Sequence, residues 1–243
     1  MKKIQTSIIL LFVIGVVSCK KTQNSSPAAT NGVTTDMAAT ISSGSLAANS
    51  SGMTTNLNDI ATNSLLTVNQ ACGTTLTDTM TKSGTLNGVT YNYFLKYTHM
   101  LDCNHLSQND NIVYNLAFHG HYDSPTMSSL DTGTSTFTIA GFTPVATAFS
   151  INGEYKRTST FKMKTGDKVS GTSKMDIVVT NLTLTKPAKT ISGGGTIALT
   201  ITVPKGTSNY TAPLTFNGDG TATATINGTK YSIDLATGVV TTQ

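Results

Sequence analysis

The sequence predicts an all-β fold, an antiparallel meander of roughly eight to ten strands curled into a barrel-like or half-barrel sheet, with a short helix at its N-terminal end. Three observations carry that prediction. From about residue 72 onward, apolar and polar side chains alternate, the period of a sheet with one buried face. The alternating runs are divided by glycine-containing turns such as Asn87-Gly88 and Asn227-Gly228. Threonine, whose branched side chain suits a pleated surface, supplies roughly a fifth of the chain.

The elements can be taken in order. MKKIQTSIILLFVIGVVSCKK opens with Lys2 and Lys3 and continues with an apolar run, Ile8 to Val17, that is too short to span a bilayer. It reads as a signal peptide over residues 1–18. Val16, Val17, Ser18 and Cys19 resemble the lipobox of bacterial lipoproteins, which makes Cys19 the lipidated first residue of the mature chain and its acyl chains the membrane anchor. Residues 19–56, rich in Ser, Thr, Ala, Asn and Gly without a sustained apolar period, read as a flexible tether. A single all-β domain with a leading helix is expected over 57–243. In that helix Leu57, Ile60, Ala61, Leu65 and Val68 recur at helical spacing behind Asn56 as a cap.

Turn chemistry fixes strand register. A two-residue turn at Asn227-Gly228 sets Ile226 opposite Thr229, Ala224 opposite Tyr231 and Ala222 opposite Ile233. Keeping the same face buried one turn earlier requires Leu214 opposite Ala224 and Phe216 opposite Ala222, hence an odd loop, Gly218 to Gly220. The TGDK segment at 165–168 likewise needs an odd loop, to align Phe161 and Met163 with Met175 and Ile177. Ile197, Leu199, Ile201 and Val203 share one face of a strand, as do Ile112, Tyr114, Leu116, Phe118 and Tyr122 of another.

The same counting places the cysteines. With Cys19 assigned to lipid, Cys72 and Cys103 remain for an oxidising compartment. A register counted outward from a two-residue turn at Asn87-Gly88 sets them directly opposite each other, at a separation a disulfide accepts.

Composition narrows the function. Charged residues are only 12% of 243, and Glu154 is the sole glutamate. Without Lys2 and Lys3 the net charge falls from +4 to about +2, leaving no basic field for nucleic acid. No GxSxG, P-loop, HExxH or CxxC pattern occurs. The weak candidate for a metal site is FHGHYD, residues 118–123, where His119, His121 and Asp123 alternate. It lacks a further ligand: His99 belongs to the apolar face of its own strand, with Tyr91, Tyr93, Leu95, Tyr97 and Leu101, whereas His119 and His121 point the other way. His105 falls in the connecting loop, and Lys96 is the residue expected across from His119, a cation that opposes a bound metal. Gly193 to Gly195, between Ile191 and Ile197, read as a bulge or bend in a strand. Lys156, Lys162, Lys164 and Lys174 form a stripe on one hairpin face, read as solvated surface. No catalytic residue and no cofactor are expected.

The lipobox with Lys20 and Lys21, the threonine-rich hairpins and the ending TFNGDGTATATINGTKYSIDLATGVV together resemble uncharacterised all-β lipoproteins of the Bacteroidota. That resemblance implies an envelope location and no established activity. Lys20 after the cysteine resembles the signal for the outer membrane, and Asp78-Thr79-Met80 resembles the O-glycosylation pattern of that phylum. The expected function is therefore a lipid-anchored cell-envelope protein with a non-enzymatic structural or binding role toward a glycan or envelope protein. The alternatives are a carrier whose curled sheet holds an apolar ligand against Tyr91, Tyr93, Leu116 and Phe118, and a metal-dependent enzyme at His119, His121 and Asp123.

Overall fold

The alternation becomes one continuous sheet. The computed structural model describes residues 32–67, 71–103, 109–142, 145–187 and 189–243; Cys19, Val68 and His105 lie outside them. Its strands are β1 (Thr75–Leu86), β2 (Val89–Cys103), β3 (Asn109–Asp123), β4 (Met127–Ala140), β5 (Ala148–Met163), β6 (Ser170–Thr185), β7 (Ile191–Val203), β8 (Gly206–Asn217), β9 (Thr221–Ile226), β10 (Thr229–Asp234) and β11 (Val240–Thr242). Each pairs antiparallel with its sequence neighbours, and β1 and β11 do not pair with each other, so the sheet is an open half-barrel. The count is eleven, where the alternation suggests eight to ten; β11 has only three residues, too few for a period to register.

The hairpins obey the face rule. Asn227-Gly228 pairs Ile226 with Thr229 and Tyr231 with Ala224, and the Gly218 to Gly220 loop pairs Leu214 with Ala224 and Phe216 with Ala222. The β5–β6 connection is odd, with Phe161 opposite Gly171 and Tyr155 opposite Ile177. Register shifts occur between Asp102 and Cys103, between Ile151 and Gly153, and between Thr180 and Thr183, the last beside Gly193 to Gly195. Such bulges raise local twist and help the sheet curl.

The concave face is filled by the chain's own N-terminal part, so the tether expectation is overturned for residues 32–56, while 19–31 lie outside the described residues. Residues 35–46 form α1 (Thr35–Leu46), a 3-10 turn follows at Ala48–Ser50, and α2 spans Met53–Thr67. Thr34 caps α1 by accepting the Met37 N–H at 3.1 Å. Ten of its twelve residues are buried, on all sides, so it carries no apolar stripe that a periodicity test would find. Its serines tolerate burial because their hydroxyls donate back to helix carbonyls, Ser42 to Ala38 and Ser43 to Thr40. α2 begins four residues before Leu57, so Asn56 lies inside the helix as a buried residue instead of capping it. Its inward face is Met53, Leu57, Ile60 and Ala61. α1 packs on β6, β7, β9, β10 and β11, and α2 packs on β2 and β3. Polar side chains fasten both helices: Tyr231 donates to Asp36 of α1 at 2.7 Å, and Asp59 of α2 pairs with Lys82 of β1 and accepts from Tyr97.

Alternate turns fall on alternate ends of the meander. The β1–β2, β3–β4, β5–β6 and β7–β8 turns form one rim, tied together by the Lys164 N–H to Thr126 carbonyl bond at 2.8 Å and by the Lys164–Asp123 ion pair. The opposite rim carries the Cys72–Cys103 disulfide, with α carbons 5.7 Å apart, in the register counted from Asn87-Gly88. This bridge closes a loop of 31 residues, which by chain entropy is worth roughly 3–4 kcal/mol. Replacing Cys72 and Cys103 together by serine should lower stability by about that amount, read from urea midpoints; an unchanged midpoint would show that the cross-link constrains nothing the unfolded chain lacks.

Candidate functional site

Two places in the trough carry chemistry, a buried charged cluster and a neutral cavity beside it. The cluster follows from inward-facing parity. On β4 the inward residues run Met127, Ser129, Asp131, Gly133, Ser135, and on β5 they run Tyr155, Arg157, Ser159. Asp131 lies opposite Ser159, which makes it the diagonal neighbour of Arg157, within reach of a long side chain. Arg157, the only arginine in the sequence, is 2% exposed and Asp131 1%. Their guanidinium–carboxylate distance is 2.6 Å.

Both carboxylate oxygens and both terminal guanidinium nitrogens of this pair are bonded. Arg157 also donates to the Tyr93 hydroxyl at 2.5 Å, to the Gly44 carbonyl of α1 at 2.8 Å and to the Tyr155 hydroxyl at 3.4 Å. Asp131 accepts from Tyr93 at 2.5 Å and from Ser129 at 2.6 Å. The guanidinium carbon lies 5.6 Å from the Tyr93 ring centre and 5.3 Å from that of Tyr122. Two glycines make the approach possible. Gly120 stands between Tyr93 and Asp131 in the cross-strand row, and a β carbon there would sit 2.5 Å from the Tyr93 ring. A β carbon on Gly44 would fall 2.0 Å from the Tyr122 hydroxyl.

Burial pushes the Asp131 carboxyl up, but the Arg157 charge and hydrogen bonds from Arg157, Ser129 and Ser159 outweigh it and hold the group below its ordinary value. Burial likewise opposes the charge on Arg157, and Asp131 overcomes it. Tyr93, Tyr122 and Tyr155 are pushed upward, chiefly by burial, and stay protonated. The cluster is therefore one fixed ion pair wrapped in neutral phenols, with no reactive group left over.

The cavity, about 390 Å³, opens where the β1–β2 and β3–β4 turns meet the β10–β11 turn and the end of α1. Its walls include Gly44, Val89, Tyr122, Met127, Val239 and Val240, and none of its lining residues is Asp, Glu, His, Lys, Arg or Cys. Gly44 and Tyr122 belong to both places, so the charged cluster supports the cavity from behind.

The residues singled out by sequence lie elsewhere. His119, His121 and Asp123 are exposed on the convex face, and Asp123 is ion-paired with Lys164. Across from His119 stands Phe94, at a ring distance of 5.3 Å, and Lys96 faces Ala117 instead. The correction is two residues along the strand: face matching fixes only the parity of the register, and the loop that sets the remainder lies outside the described residues. His99 is inward and stacks on Tyr114 at 5.7 Å. Among the described residues no three His, Cys, Asp or Glu side chains come together as a metal site. Lys156 of the basic stripe pairs with Glu154 at 2.6 Å. Of the apolar-carrier lining, Tyr93 belongs to the cluster, Phe118 stacks on Tyr155 at 5.6 Å and Leu116 is buried; Tyr91 is half-buried. The cluster itself escaped sequence reasoning, although its signal was present: polar residues at inward parity, Ser129, Asp131, Arg157 and Ser159, interrupt an otherwise apolar face.

Removing one partner of the pair strands the other in a dry interior. Arg157→Met should cost about 3–5 kcal/mol, and adding Asp131→Leu should recover much of that loss. Because the folded carboxyl titrates below its unfolded value, the stabilisation is complete above about pH 4 and fades as pH falls through the folded value. Urea midpoints measured between pH 7 and pH 3 would test this, and a double variant as unstable as Arg157→Met would contradict it.

No protein-family model, curated protein or solved structure matches this chain, so its functional reading rests on the geometry of the trough and the cavity.

Proposed function

We propose that this protein is a lipid-anchored cell-envelope protein with a non-enzymatic binding role, tethered through Cys19 and binding its ligand in the neutral cavity at the turn rim. The observation that carries the binding reading is the contrast within the trough. Its long apolar wall is covered by α1 and α2, the Arg157–Asp131 pair is bonded to its own neighbours, and the cavity of about 390 Å³ has the size of a small-molecule site. A site without ionisable side chains other than tyrosine offers neither a general base nor a nucleophile tuned for reaction. An apolar-ligand carrier would need the wall that the helices already occupy.

The anchoring reading draws support from the charge on the rim where Gly32 lies. Gly32 lies against the Lys205 side chain and shares a cleft with Val169, Ser170, Val203 and Pro204, on the rim of the β5–β6 and β7–β8 turns. That rim exposes Lys162, Lys164, Lys168 and Lys205 against Asp123 and Asp167, whereas the opposite one carries Asp102, Asp110, Asp219 and Asp234 against Lys186 and Lys189. A basic rim at the point of attachment suits a surface of anionic headgroups.

Cys19→Ala should move the protein from the membrane pellet to the soluble fraction and abolish incorporation of labelled palmitate. A variant that stays in the pellet, or a wild-type protein that takes up no label, would remove the anchor.

A further inference from the structure

The cavity's polar lining is entirely uncharged, and that narrows its ligand chemistry. Ser43 donates its hydroxyl proton to the Thr40 carbonyl at 2.9 Å, Thr40 to Asp36 at 2.9 Å, Ser50 to Gly44 at 2.7 Å and Ser124 to Met127 at 2.9 Å. Asn49 uses its amide on the Thr237 carbonyl at 2.6 Å. A hydroxyl that has given its proton to a backbone carbonyl still has lone pairs to offer. Thr40, Ser43, Asn49 and Ser50 thus present acceptors, whereas the Ser124 oxygen already accepts the Thr126 and Met127 N–H groups.

Asn87, Thr126 and Thr237 add groups that can donate as well as accept, and one donor comes from the buried face of the sheet. Tyr122 is 4% exposed and lines the cavity, and among the described residues its hydroxyl has no hydrogen-bond partner. Its ring faces the Arg157 guanidinium, which fixes its position, and Gly44 leaves the hydroxyl just enough room. The hydroxyl opens onto the cavity, so a bound ligand that pairs with it gains selectivity over one that cannot. The rest of the wall, Val89, Pro125, Met127, Val239 and Val240, offers flat apolar contact.

We propose that this cavity binds a neutral saccharide unit, whose ring hydroxyls donate to the acceptors on α1 and the 3-10 turn after it, whose C–H faces lie on the valines and Met127, and one of whose oxygens pairs with the Tyr122 hydroxyl. This deepens the binding role proposed above and rests on it. A charged sugar is disfavoured because no lining side chain carries a countercharge. A fatty acyl chain would leave the acceptors and the Tyr122 hydroxyl unpaired.

The test is saturation-transfer NMR on the purified full chain with glucose, galactose, mannose and N-acetylglucosamine, alongside glucuronate and myristate. At least one neutral sugar should bind saturably, and glucuronate should bind at least about tenfold more weakly than glucose. Tyr122→Phe, which keeps the ring over Arg157, should weaken sugar binding roughly three- to tenfold. Val239 is 59% exposed, so Val239→Trp narrows the mouth without entering the core and should abolish binding while leaving the circular dichroism spectrum and unfolding midpoint unchanged. The assignment is overturned if no neutral sugar binds, if glucuronate matches glucose, or if both variants bind sugar like the wild type. Binding of myristate alone, blocked by Val239→Trp, would likewise overturn the saccharide assignment but leave the cavity a binding site. Release by Cys19→Ala is read independently, so failure of the anchor and failure of the ligand class are distinguishable.

Discussion

Arg157 and Asp131 form the contact on which the interior is organised. Two opposite charges, each almost without solvent exposure, are tolerable in a low-dielectric core only when their remaining hydrogen-bonding capacity is filled. Filling it dictates the neighbours: a serine on β4 for one carboxylate oxygen, the Tyr93 hydroxyl bridging both charges, and a helix carbonyl, at Gly44, for the far side of the guanidinium. The last of these sets the position of α1, because a guanidinium fixed by the sheet can meet that carbonyl in only one axial placement of the helix. An all-aliphatic trough would bury area equally well and would leave a small-residue helix free to slide. Polar specificity of this kind costs stability and confers a defined arrangement.

From that placement the cavity follows. Gly44 is held against Tyr122, Tyr122 against Arg157, and the space left between the end of α1 and the neighbouring turns remains open. The convex face has no such support. His119 and His121 stand on adjacent outward positions of one strand, with Phe94 rather than a ligating side chain across from the first. Alternate spacing brings two imidazoles onto one side, but only a second element aimed at the same point would make them a site.

Much of the sheet was legible because side-chain parity is a strict rule: a buried face cannot change sides without a bulge. Asn227-Gly228, the three-residue glycine loop and the opposition of Cys72 to Cys103 all follow from it. Parity has a residual freedom of two residues, and that is where the pairing of His119 was misread. The helices show a different limit. Leu57, Ile60 and Ala61 mark α2 because it is buried on one side, whereas Ala38, Ala39, Ser42, Ser43 and Gly44 form a helix surrounded by protein, whose composition matches that of a linker. Arg157 was visible as a residue and hidden as a feature, since a lone inward cation makes sense only when a diagonal Asp131 and a helix carbonyl are known to meet it.

The packing of α1 also orders events in time. This helix is among the earliest described parts of the chain to be synthesised, yet it rests on β6, β7, β9, β10 and β11, and the carbonyl of Leu235, near the other terminus, takes the N–H of Ala48 directly after it. Its partners exist only once nearly the whole chain has been made, so the nascent protein must carry an undocked serine- and alanine-rich segment until the last hairpins arrive. Small side chains and self-satisfied hydroxyls keep such a segment from aggregating during that wait, the same properties that later allow it to lie wholly enclosed.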